Sequence, residues 1–128
     1  MDSTRIVPPA DSPYFEAWRT WSPFEKNIWL WKETNEWIRR FLVGLPPERV
    51  RTFQSENMFD YHPETLSGFF EFLGVATPPE KRIKKILARS MNAQTTGTFP
   101  TPDKWSEKML ASVEHILGDS AHHLGYRL

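Results

Sequence analysis

No cysteine occurs among the 128 residues, which excludes a disulfide framework, a thiolate metal site and a cysteine nucleophile. Neither sign of charge dominates: 16 basic residues stand against 16 acidic ones, unlike the overall basic surface of a general nucleic-acid binder. No apolar run approaches the roughly 18 residues of a membrane-spanning helix. The N-terminus shows no basic region followed by an apolar stretch, the pattern of a secretory leader. The expectation is a soluble protein of the cytoplasm, bound to neither membrane nor nucleic acid. Glycine is sparse as well. Six glycines stand singly at 44, 68, 74, 97, 118 and 125, and no lysine joins them in a strand–loop–helix arrangement that would cradle a phosphate. The histidines His62, His115, His122 and His123 lack the spacing and third donor of a metal site.

Proline and tryptophan are what the chain has in excess. Eleven prolines are about twice the average usage of ~5%. Pro23, Pro63, Pro78 and Pro102 follow Ser22, His62, Thr77 and Thr101, and proline suits a first helical position because its missing N–H would be unpaired there. Ser22 and Thr77 each precede a glutamate by three residues, Glu25 and Glu80, which is capping-box spacing. Residues 1–21 read as an extended Pro-rich arm, its second half tacked down by Tyr14, Phe15, Trp18 and Trp21, and residues 22–128 as one helical domain. Helices are expected over 23–43, 63–73, 78–91 and 102–117, with a final turn over 120–124 and one short strand over 49–54.

The first helix carries the most information. Phe24, Ile28, Trp31, Asn35, Ile38 and Leu42 form one stripe, and Leu30, Trp37 and Phe41 widen it well beyond the ~100° that a surface helix needs. Coverage from two directions is expected. Lys32, Glu36, Arg39 and Arg40 lie opposite, and Trp29 points among them, which predicts an exposed or partner-covered indole. Leu66, Phe69, Phe70 and Leu73 should face inward on the second helix. Ile83, Ile86 and Leu87 should do so on the third, and Trp105, Met109, Val113 and Ile116 on the fourth.

A family resemblance rests on the order of motifs along the chain. Val50, Thr52 and Phe53 lead to a turn with Glu56 and Asn57. His62-Pro63 opens a helix that closes on Phe72-Leu73-Gly74. Asn92, Gly97, Phe99, Pro100, Trp105 and Leu124-Gly125-Tyr126 follow, and Trp31, Asn35, Ile38 and Leu42 precede. This order resembles the C-terminal half of the PAPS-dependent sulfotransferases. The resemblance implies a mainly α fold with one short strand, half of an α/β, P-loop-like architecture. It also implies that the donor loop with its lysine, and the His or Glu base, belong to a half that this chain lacks. No catalytic residue is therefore assigned, and PAPS would bind only where another half completes the site.

Where the family brings an arginine and a glycine to the donor's 3′-phosphate, this chain has Thr95, Thr96 and Gly97. Gly97 matches and the arginine does not, which removes a charge-assisted contact. The loop reads either as a weak phosphate cradle of hydroxyls and backbone N–H groups or as plain surface. Glu56 and Asn57 read as structural. Lys81, Arg82, Lys84, Lys85 and Arg89 surround the apolar side of the third helix, which is either a solvated face or a salt-sensitive surface for an anion or acidic partner. Two functions follow. One is a sulfotransferase-like domain, part of or derived from such an enzyme and inactive alone. The other is a non-catalytic interaction module that docks a partner or second copy through exposed aromatic and basic helix faces.

Overall fold

The computed structural model describes residues 6–89 and 100–126. It is mainly helical and divides into two compact units, one from the chain up to Gly44 and from Pro100 onward, the other Leu45–Phe99.

In the first unit the long helix α1 (Pro23–Val43) starts and stops where the sequence places it. Ser22 Oγ accepts from the Glu25 N–H, and the Glu25 carboxylate accepts from the Ser22 N–H at 2.8 Å. Helix α5 (Glu107–Leu117) packs against α1. Phe24, Val113, Leu117 and Ala121 form the core, with Ile28, Trp31, Trp105 and Met109 against it. The expected helix over 102–117 is in fact broken. A 3-10 turn covers Pro102–Lys104, and Trp105 is extended (φ −72°, ψ 132°). That break lets the Trp105 indole donate to the Pro100 carbonyl at 3.0 Å and set its ring edge-on to Phe24, 5.3 Å away. Ser106 then caps α5 by accepting from the Met109 N–H at 3.2 Å.

The short helix α6 (Ser120–His123) follows. Its end is a Schellman motif: Gly125 N–H donates to the His122 carbonyl and Tyr126 N–H to the Ala121 carbonyl, with Gly125 at φ 82°, a conformation that glycine adopts without Cβ strain. The turn carries Tyr126 back onto Trp31, ring to ring at 5.7 Å. The arm has no regular structure over 6–9, its described start. From Pro9 it curls, with Ser12 N–H donating to the Pro9 carbonyl at 2.9 Å, into a 3-10 turn at Ala17–Arg19.

The second unit holds α2 (Ser55–Phe59), α3 (Pro63–Phe72) and α4 (Glu80–Leu87). The strand expected over 49–54 does not form, and no strand exists among the described residues. Val50 is extended (φ −126°, ψ 128°), but an extended run becomes a strand only with a partner to take its backbone hydrogen bonds. Phe53 instead plugs onto α3, edge-on to Phe69 at 5.6 Å. The polar turn with Glu56 and Asn57 is α2 itself. A second Schellman motif ends α3, with Gly74 at φ 69° and Val75 N–H donating to the Phe70 carbonyl. Helix α4 starts two residues later than expected, because Pro79 excludes the helical conformation from Pro78. Pro79 takes the cap position without a side-chain hydrogen bond, so Thr77 caps nothing. Leu66 and Ile83 are buried, whereas Leu73 and Ile86, both expected inside, are exposed.

Candidate functional site

Helix lengths decide what is covered. The 21 residues of α1 extend about 31 Å at 1.5 Å per residue. The 11 residues of α5 extend about 16 Å. The cover given by α5 and α6 is pinned by two hydroxyls. Ser112 donates to Glu25 Oε1 at 3.1 Å near the start of α1, and Ser120 donates to Glu36 Oε1 at 3.0 Å beyond its middle. Past Glu36 the aromatic residues are bare. Trp37 is 64% exposed and Phe41 57%. Their rings lie nearly parallel, 4° apart in plane with centroids at 5.9 Å. The expectation that both rings, together with Ile38, belong to the core is corrected: the elements that would bury them end too soon.

Trp29 is corrected in the opposite sense. It is 2% exposed, among the most deeply buried large side chains. The cover is the chain's own arm rather than a partner. Trp18 meets Trp29 edge-on at 4.9 Å and in turn touches Trp21 at 6.2 Å. The lysines around Trp29 serve the same contact. Lys26 Nζ sits over the Trp18 ring at 5.3 Å, and Lys32 donates to the Tyr14 hydroxyl at 2.9 Å while lying over its ring. A face that looks merely charged is thus a seat for aromatic rings through cation–π contacts. The Trp29 N–H is buried there and has no hydrogen-bond partner among the described residues.

Between arm and helix lies an open cavity of about 330 Å³, walled by Ile6 and Val7 on one side and by Trp29, Thr34 and Trp37 on the other. This is near the small end of ligand-sized pockets. Ile6 and Val7 are themselves exposed. Pro9, Glu33 and Arg40 complete the lining, and neither Glu33 nor Arg40 is in an ion pair among the described residues, where Arg39–Glu36 and Lys84–Glu80 are the bridges formed.

Of the other predicted site residues, Lys81, Lys84 and Lys85 lie exposed on α4, with Arg89 exposed just beyond it. Lys84 pairs with Glu80, whose carboxylate raises the ammonium's pKa, and it rests over the Tyr61 ring at 4.7 Å. Tyr61 holds a positive φ of 57°, an uncommon conformation for a bulky residue. Thr95, Thr96 and Gly97 lie outside the described residues. Among those described, no group of three His, Asp or Glu side chains is placed to hold a metal ion, and no helix is long and apolar enough to cross a membrane. The sequence marks Tyr14, Trp18 and Trp21 as residues that tack the arm down, but it does not mark Trp29 as their seat. The signal for that seat was the spacing of Tyr14 and Trp18 against Lys26 and Lys32 on either side of Trp29. Compared with protein-family models, curated proteins and solved structures, the chain has no match.

Proposed function

We propose that this chain is a protein-interaction module that docks through the aromatic end of α1, with the basic face of α4 as a second docking element, and that it acts in the cytoplasm. The observation that carries the reading is the Trp37–Phe41 pair, stacked and more than half exposed beside an apolar cavity. Large aromatic surface held in water is unfavourable at about 25 cal/mol per Å², and contiguous patches of it on soluble domains mark contact sites. Helix α4 adds an exposed cationic row, and Lys81 and Lys85 have no ion-pair partner among the described residues.

Replacing Phe41 by a photo-crosslinking aromatic amino acid in the producing cell should yield a discrete protein adduct, and the same residue at exposed Lys108 should not. No adduct at position 41, or equal adducts at both positions, would overturn the reading. A crosslinker at Lys85 tests α4 in the same way. Descent from a PAPS-dependent sulfotransferase is the second reading, supported by the motif order from Trp31 to Tyr126. On that reading the chain alone turns over no donor, and turnover that co-purifies with it would reverse the ranking of the two.

A further inference from the structure

The exposed seam of α1 is self-complementary, and we infer that its occupant is a second copy of this chain, the two α1 helices running antiparallel across a two-fold axis beside Trp37. The inference rests on the docking reading above and names the partner for that surface. Glu33 and Arg40 are seven residues apart, so they lie on one face, about 10.5 Å and two turns from each other. Trp37 stands between them, with Phe41 stacked on it. A two-fold axis at the midpoint of this stretch sets Glu33 of each copy opposite Arg40 of the other, forming two ion pairs from one kind of contact. It also brings the two Trp37 rings together at the axis, with each Phe41 stacked on the outer side of its own Trp37. This is the requirement for an isologous interface, in which one patch is its own complement.

Charge pattern selects the orientation. With parallel helices each Arg40 would lie near its twin and each Glu33 near its twin, whereas the antiparallel arrangement pairs opposite signs. Flanking charges set orientation in this way in paired helices generally. Both groups are available: neither is in an ion pair among the described residues, and Arg40 uses only Nε, donating to the Glu36 carbonyl at 3.3 Å. Magnitude decides the expected affinity. A buried aromatic covers about 150–250 Å², so two copies of this half-exposed pair supply on the order of 400–600 Å² of the ~1,200 Å² that a stable interface needs. Ile6, Val7 and Ile38, all exposed beside it, extend the patch. The pairing is therefore weak and concentration-dependent.

The experiment is sedimentation velocity on the full chain over a dilution series, with Glu33→Arg and Arg40→Glu made singly and together. The parent should pass from monomer to dimer as concentration rises. Each single reversal should weaken the dimer about tenfold or more, since like charges then face each other. The double variant, and an equimolar mixture of the two singles, should recover it. Recovery in the mixture also shows that neither single variant is misfolded. A parent monomeric at every concentration, single reversals without effect, or a mixture that fails to recover would each overturn self-pairing. The adduct at position 41 separates the failures: a different protein captured there leaves the docking reading standing, and no adduct removes both.

Discussion

The two ends of α1 are built from the same residue types and meet different fates. In its first four turns Phe24 and Trp29 are buried and Trp31 is partly buried, with α5 and α6 on one side and the arm on the other. In its last two turns Trp37, Ile38, Phe41 and Val43 are exposed. Composition does not distinguish the ends. What differs is the reach of the neighbouring elements, and a helix that outruns its cover becomes a surface for something else. Covering one side of Trp29 required only a short aromatic arm, which shows how little additional chain the bare end would need.

That contrast breaks most visibly at Trp29 and Trp37. Trp29→Ala should destabilise the first unit by about 3–5 kcal/mol, the range for removing a buried tryptophan. Trp37→Ala should change the stability of the monomer by no more than about 0.5 kcal/mol, as for most surface positions. Chemical denaturation at a concentration where the chain is monomeric measures both. Similar losses at the two positions would mean that the far end of α1 is covered within the monomer and is not a docking surface.

Features set within a few residues were legible in the sequence, and those set by distant neighbours were not. Ser22, Pro23 and Glu25 define the start of α1 among themselves. Gly74 stops α3 because the turn needs a positive φ. By contrast, a helical wheel drawn on α1 alone has no knowledge of the arm, so it sent Trp29 outward. It has none of the length of α5 either, so it placed Trp37 and Phe41 in a core seam. The β-prone run Val50–Phe53 met the same limit, since strand formation requires a partner elsewhere in the chain. Thr77 failed for a more local reason, the conformational restriction that Pro79 imposes on Pro78. The candidate site was legible as residue types on α1, but its place emerged only with the cover around it.

The two caps sharpen the comparison at a smaller scale. Ser22→Ala removes a side chain that closes a capping box and should cost about 0.5–2 kcal/mol. Thr77→Ala removes a hydroxyl outside any helix cap and should fall within about 0.5 kcal/mol. Urea unfolding of the two variants beside the parent decides it. A Thr77→Ala loss as large as that of Ser22→Ala would mean that α4 begins at Pro78 after all.

The smallest expected effect is a dependence on acid, located at Glu25 near the start of α1 and at Glu36, where the helix passes from covered to bare. Glu25 is held below its ordinary carboxylate value of 4.5 first by the hydrogen bonds from Ser22, and further by that from Ser112. Glu36 is held below it by Arg39 first and then by Ser120. A carboxylate with a lowered pKa in the folded state adds stability that is fully present above its unfolded value and is lost as pH falls through the folded one. The first unit should therefore keep its full stability at neutral pH and lose a small part of it below 4.5. Both groups are near solvent, where screening keeps such contributions modest. Ser112 and Ser120 belong to the covering helices, so part of this acid-sensitive stability joins the cover to α1, and the larger part lies within α1, at the Ser22 cap and the Glu36–Arg39 bridge. Thermal unfolding of the parent beside Glu25→Gln with Glu36→Gln tests this: the parent's midpoint should approach that of the variant as pH falls. Midpoints that decline in parallel from neutral pH downward would show that these two carboxylates carry none of the acid dependence.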